Sequence, residues 1–212
     1  MNDNIEDLNS LLKSKKMYLF DFDGTLADTE TLHWKAYNVC LKRFNVILKE
    51  KNIKKYIGNQ ETSIYKMIKE DFNIIFDEKD FFEERIKHYL QLVKSENLQP
   101  FPYVLKLLEN SDVEFNILSS NRLPVLEAVL NIWGLRKKFN KIISAATNNI
   151  EKSDVIYNIE QYFNFNKRDI VLFEDSNKYL NIGKINKITS IGIEHIYNID
   201  TLKDCDYVWK TL

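Results

Sequence analysis

Met17-Tyr18-Leu19-Phe20-Asp21-Phe22-Asp23-Gly24-Thr25-Leu26-Ala27-Asp28-Thr29 is the stretch that decides the fold. Four apolar residues without alternation suit a strand buried on both faces, as in a parallel sheet. Two carboxylates then stand two residues apart, where that strand should end. Positions i and i+2 of an extended chain point to the same side, so Asp21 and Asp23 can reach one small volume. Adjacent anions repel, and such a pair calls for a bound cation, a shared proton or a reacting electrophile. Gly24 lets the chain turn away sharply. A competing reading, a hairpin built on Asp-Gly, needs a period-two strand after the turn. Residues 31–44 read as a helix instead, with Leu32, Tyr37, Cys40, Leu41 and Phe44 on one stripe.

Working outward, the span from about 31 to 98 contains further helical patterns at Thr62–Glu70 and Phe81–Lys94, joined by short polar links, and no convincing strand. Gln99-Pro100-Phe101-Pro102 punctuates the chain. Beyond it strands and helices alternate: a helix over Tyr103–Asn110, a strand over Val113–Leu118, a helix over Pro124–Trp133, a short strand over Lys141–Ser144, a helix N-capped by Ser153 and running to Phe163, a strand over Ile170–Phe173, a helix over Asn177–Ile185, and strands at Thr189–Ile193 and Tyr207–Trp209. A short helix over residues 5–14 precedes the first strand. Alternation of this kind predicts an α/β fold with a doubly wound, mostly parallel, Rossmann-like sheet. The helical span reads as an inserted all-helical cap. The expected domains are therefore 1–30 plus 99–212 as the catalytic core and 31–98 as the cap.

Composition narrows the function classes. The 212 residues suffice for one core plus a small satellite domain. With 29% charged residues and a net charge of −1, no global basic field for nucleic acid exists, and Lys15-Lys16 and Lys54-Lys55 read as solvated surface. Cys40 and Cys205 make neither a disulfide framework nor a zinc site, and the three histidines are scattered. The N-terminal residues are polar, without the pattern of a signal peptide, and no apolar run is long enough for a membrane span. The expectation is a cytoplasmic protein, monomer or weak dimer, with neither nucleic acid nor membrane as partner.

In open α/β sheets, sites form beyond the carboxyl ends of the strands. Ser119-Ser120-Asn121 follows the strand ending at Leu118, and hydroxyls and backbone N–H groups at a strand-to-helix turn can bind phosphate, although Ser and Asn also serve ordinary turns. Glu174-Asp175 follows Phe173; acids are also favoured at a helix N-terminus by its dipole. Lys152 stands at the start of a predicted helix, with Lys141 as a nearby alternative.

These pieces resemble, in order, the motifs of the haloacid dehalogenase-like hydrolases. Asp21-Phe22-Asp23-Gly24-Thr25-Leu26, followed by Asp28-Thr29-Glu30 and His33, is similar to the first motif of the branch with a helical cap, which includes phosphoglycolate phosphatases and β-phosphoglucomutases. Ser119 or Ser120 matches the second motif, with Ser119 favoured and Ser120 contributing its amide. Lys152 matches the third, loosely, because Ser153-Asp154 follow where the family often has prolines. Glu174-Asp175 matches the fourth. The resemblance implies a Mg²⁺-dependent phosphatase acting on a small phosphorylated metabolite. Asp21 would be the nucleophile that becomes phosphorylated and Asp23 the general acid/base. Thr25, Ser119, Ser120 and Lys152 would bind phosphate. Asp21, Asp175 and the Asp23 carbonyl would hold the metal, with Glu174 direct or through water. The cap, with His33 and the joint around Gly58, would contact substrate and close over the site. Two alternatives stay open: phosphoryl transfer of the β-phosphoglucomutase kind, and a regulatory or binding protein on the same fold without catalysis. Glu61 at the cap position where the mutases carry an arginine argues for hydrolysis, with Arg85 as one available cation.

Overall fold

The computed structural model describes residues 8, 10–56, 61–109, 112–195, 197–199 and 201–211. Residues 10–13 are helical. The chain divides into two compact units, residues 1–27 with 100–212, and residues 28–99.

The first unit is built on a six-stranded sheet: β1 (Met17–Phe20), β2 (Glu114–Ser119), β3 (Lys141–Ser144), β4 (Ile170–Glu174), β5 (Thr189–Glu194) and β6 (Tyr207–Lys210). The order is β3-β2-β1-β4-β5-β6 and every pairing is parallel. The chain winds outward from β1 in one direction and from β4 in the other, so the strand order reverses between β1 and β4. That reversal opens a crevice beyond their carboxyl ends.

The apolar run of β1 is explained by burial on both faces. Met17 and Leu19 join one core with Leu118, Ile143, Ile170 and Leu172, covered by Val155, Ile156, Ile159, Phe163 and Ile182 from the helices. Tyr18 and Phe20 enter an aromatic cluster with Phe115, Phe139 and Phe173; the Phe20 and Phe173 rings stack with centroids 4.5 Å apart. Each such side chain contributes about 1.5–3 kcal/mol by leaving water. The tyrosine is tolerated because its hydroxyl donates to the Leu12 carbonyl at 3.0 Å.

The helices of this unit differ from the sequence expectation in one region. A helix N-capped by Ser153 and continuous to Phe163 was expected. Instead Glu151 holds the N-cap position, Lys152 opens the helix, and Ser153 lies inside its first turn. The helix then breaks at Asn158 (φ −107°, ψ 27°) into Lys152–Tyr157 and Ile159–Phe163. Apolar periodicity continues across the break because both pieces feed the same core. A short helix, Ala145–Asn148, was not foreseen; Ser144 caps it by accepting from the Thr147 N–H at 3.0 Å.

The second unit carries α1 (Thr29–Leu41), α2 (Glu50–Tyr56), α3 (Glu61–Phe72) and α4 (Glu78–Ser95). Helix α2 was read as a polar link. Asp28 caps α1 by accepting from the Thr31 hydroxyl at 3.1 Å and its N–H at 3.4 Å, and Asp77 caps α4 by accepting from the Asp80 N–H at 2.9 Å. The interior is aromatic: Tyr37, Tyr65, Phe76 and Phe81 pack ring on ring, with Phe76 and Phe81 stacked at 4.2 Å.

Candidate active site

Asp21 is positioned by the sheet itself. Its N–H donates to the Phe173 carbonyl at 2.9 Å, extending the β1–β4 ladder one residue past the strand. The loop then folds back on its own backbone, with Leu26 N–H donating to the Phe22 carbonyl at 2.8 Å and Gly24 N–H to the Ala27 carbonyl at 3.1 Å. Gly24 sits at φ +74°, a conformation L side chains rarely adopt. Tyr103 donates its hydroxyl to the Thr25 carbonyl, and Phe101 N–H to the Leu26 carbonyl at 2.8 Å, which ties the loop down.

Carboxylate oxygens of Asp21, Glu174 and Asp175 all lie within 4.8 Å of one another. Glu174 ends β4 and is fully buried; Asp175 follows it. Lys152 Nζ stands between two of the acids, 2.7 Å from Asp21 Oδ1 and 2.6 Å from Glu174 Oε2, and is only 2% exposed. Its charge also lies 4.4 Å from the Tyr179 ring centroid. Lys141, the alternative lysine, is exposed at the opening of β3, where it bonds the Tyr162 carbonyl.

Two of the three acids share one lysine, and their proton affinities follow from this. Burial pushes Asp21 up to about 6; Lys152 works against that shift, and Asp175 and Asp23 add to it. Burial also raises Glu174 well above the usual carboxylate range, with Asp21 adding to the effect. For Lys152, burial disfavours the charge, but Asp21 and Glu174 outweigh burial and hold it charged above the ordinary lysine value. The cluster is short of positive charge, and its donors are all oxygens. A hard divalent cation fits such a set.

Asp23 is turned to a different partner. Its Oδ2 accepts from Asn121 Nδ2 at 3.1 Å, joining the loop after β1 to the loop after β2. Ser119 is buried at the end of β2, its Oγ accepting from the Asn121 N–H at 3.0 Å, while Ser120 is exposed. Ser144 Oγ donates to the Asn121 carbonyl at 2.7 Å. Thr25 is fully buried; its Oγ1 has no hydrogen-bond partner among the described residues.

In the second unit, His33 Nδ1 accepts from Arg85 Nη1 at 3.1 Å, and its ring stacks on Tyr89 with centroids 4.0 Å apart. Arg85, 4% exposed, also pairs with Glu61 through Nη2, and Tyr65 donates to the same Glu61 oxygen at 2.8 Å. Gly58 lies outside the described residues.

Sequence reasoning missed three participants. Asn121 was read only as part of a turn. Tyr103 was read only as part of a helix. His195 was not noticed, yet it directly follows β5, and the rule that reactive groups follow strand ends would have found it: its Nε2 lies 2.9 Å from Asp175 Oδ2.

Known proteins resemble the chain along most of its length. A family described as haloacid dehalogenase-like hydrolase matches residues 18–193. Pyrophosphatase PpaX of Oceanobacillus iheyensis is 28% identical over 140 residues, 62% of this chain and 60% of that protein, so the match spans under two thirds of its length. A phosphorylated carbohydrates phosphatase of Thermotoga maritima is 26% identical over 188 residues, 85% of this chain and 83% of that protein. The crystal structure of CbbY from Rhodobacter sphaeroides in complex with phosphate superposes with a TM-score of 0.78 at 17% identity, covering 92% of this chain and 93% of that one, a likeness of fold. No helix among the described residues is long and apolar enough to cross a membrane. With the family match running from β1 through β5, the chain belongs to the haloacid dehalogenase-like hydrolases.

Proposed function

We propose that the protein is a phosphatase that hydrolyses a small phosphorylated metabolite through a covalent phosphoryl-Asp21 intermediate. The observation that carries this reading is the convergence of Asp21, Glu174 and Asp175 within 4.8 Å, with Lys152 bridging two of them, at the reversal point of a parallel sheet.

Asp21 attacks phosphorus in line; its Oδ–P bond forms as the ester O–P bond breaks. Asp23 gives a proton to the leaving oxygen. It then takes a proton from water, which attacks the phosphoryl group and releases phosphate and free Asp21. Asn121 holds Asp23 for both transfers. Lys152 and the Ser119–Ser120 turn meet the phosphoryl oxygens, spreading the charge that develops there. Thr25 is read as a further phosphate contact: its buried hydroxyl has no hydrogen-bond partner among the described residues, while its carbonyl is held by Tyr103.

The donor set fits Mg²⁺, which Asp21, Glu174 and Asp175 would hold, with the Asp23 main-chain carbonyl as a further oxygen. When bound, Mg²⁺ supplies positive charge that offsets the repulsion between the phosphoryl oxygens and an attacking carboxylate.

Residues 28–99 are assigned as the cap that selects substrate, with His33 and the joint around Gly58 as its contacts. Hydrolysis is favoured over mutase chemistry by Arg85. A mutase must hold a second phosphate, and the Arg85 guanidinium is already matched by Glu61 and bonded to His33. The complete acid set argues against a purely regulatory role. The thiols of Cys40 and Cys205 are free, which suits a reducing cytoplasm. The relatives' names point to small phosphorylated compounds as substrates.

The test is phosphate release from a panel of phosphorylated metabolites, with and without chelator. Turnover of at least one small monoester that stops with chelator is expected. Turnover undiminished in excess chelator would overturn the Mg²⁺ assignment, and silence across the panel would overturn the phosphatase reading.

A further inference from the structure

His195 is buried at the end of β5 and takes no part in the chemistry above. Its Nε2 lies 2.9 Å from Asp175 Oδ2, and its Nδ1 faces the Tyr197 backbone N–H at 3.3 Å. A backbone amide can only donate, so Nδ1 accepts and the ring proton stands on Nε2. The contact with Asp175 is then an Nε2–H donated to the carboxylate.

Two further residues, Asn198 and Gly24, confine the pair. Asn198 Oδ1 accepts from the His195 N–H at 2.7 Å. Asn198 Nδ2 donates to the Asp175 carbonyl at 3.0 Å and to the Ile193 carbonyl at 2.9 Å. Gly24 closes over the contact: a Cβ there would lie 2.5 Å from Asp175 Oδ2 and 2.8 Å from His195 Nε2. The loops after β1, β4 and β5 thus converge on one carboxylate oxygen.

We infer that His195 is a positioning residue that occupies Asp175 Oδ2, so that Asp175 meets a cation through a single oxygen. The inference rests on the cation reading given under the proposed function. Its consequence is ion selectivity. Mg²⁺ takes near-ideal octahedral geometry, whereas Ca²⁺ takes six to eight oxygens and often chelates a carboxylate through both. An Asp175 with one oxygen tied to His195 suits Mg²⁺ and denies Ca²⁺ a ligand. Freed of His195, the carboxylate can rotate and chelate.

The experiment titrates wild type, His195→Leu and His195→Gln with Mg²⁺ and, separately, Ca²⁺ by calorimetry without substrate. His195→Leu should lose about 10–100-fold in Mg²⁺ affinity, the usual effect of removing a partner of a metal ligand. Its Ca²⁺ affinity should fall much less or rise. His195→Gln, whose amide can donate in the same direction, should recover most of the Mg²⁺ affinity. Equal losses for the two ions, a larger loss for Ca²⁺, or no loss would overturn the inference while leaving the cation site intact. A wild type that binds no Mg²⁺ would instead defeat the cation reading and this inference with it. Should His195→Leu fail to fold, the long-range ¹H–¹⁵N spectrum of the wild type decides. A proton on Nε2 and a bare Nδ1, unchanged by Mg²⁺, is expected; a proton on Nδ1 would overturn the assignment.

Discussion

Lys152 Nζ and Asp21 Oδ1 form a buried ion pair at 2.7 Å, between the first residue of a helix and the first residue past the central strand. A buried pair is costly to break from one side, because the partner's charge is left uncompensated. Here Glu174 shares the lysine, so two acids would be stranded together.

Lys152→Met should therefore lower stability more at pH 8 than at pH 5, since stranded acids can be neutralised by protons at the lower pH. Melting temperatures at the two pH values check this. In the same variant kcat should fall about 10²–10³-fold, the usual cost of one lost charge-stabilising donor. Equal destabilisation at both pH values would show that Lys152 carries no charge compensation.

Asp21 gives the metal-free protein a pH dependence of definite sign. Its folded value of about 6 lies above the 3.8 of the free side chain, so the folded state binds the extra proton between those values. Stability must then fall as pH rises through that window, by on the order of 1–3 kcal/mol from this group. Denaturant unfolding with chelator present should show the fall, Asp21→Asn should flatten it, and Mg²⁺ at pH 7.5 should restore stability.

Asp23 should matter in proportion to how much help the leaving group needs. Asp23→Asn should slow alkyl phosphates by about 10²–10⁴-fold, and aryl phosphates with acidic leaving groups much less. Asn121→Ala should show the same ordering in milder form, because it removes the bond that orients Asp23. Rates across a leaving-group series measure both; a uniform loss would move Asp23 out of the acid/base role.

With Arg85 paired to Glu61, hydrolysis rather than isomerisation is the expected outcome. With β-glucose 1-phosphate and catalytic bisphosphate, phosphate release without glucose 6-phosphate is expected. Rapid glucose 6-phosphate formation outpacing release would show that the pair opens for a second phosphate.

Much of this was legible because each signal had a direct physical cause. Met17 to Phe20 read as a doubly buried strand because Met17 and Leu19 meet one core while Tyr18 and Phe20 meet another. Asp21, Glu174 and Asp175 read as a cluster because Asp21 and Asp175 directly follow strands and Glu174 closes one. Helix α2 escaped because Ile53 and Tyr56 alone give too short a period to see among lysines. The break at Asn158 escaped because Val155, Ile156, Ile159 and Phe163 keep helical spacing through it. Asn121 escaped because its role is a contact with an acid far away in sequence, at 3.1 Å, which no local pattern encodes; His195 was legible from its place just past β5, although the Asp175 it meets at 2.9 Å is distant in sequence.

The central claim is that Asp21 becomes phosphorylated. Rapid quenching of single-turnover reactions, followed by peptide mass spectrometry, tests it most directly. The account predicts a transient phosphoryl adduct on Asp21 that forms before phosphate appears and is absent from Asp21→Asn, which should be inactive. An adduct on another residue, or an Asp21→Asn protein that turns over at a substantial fraction of the wild-type rate, would contradict it.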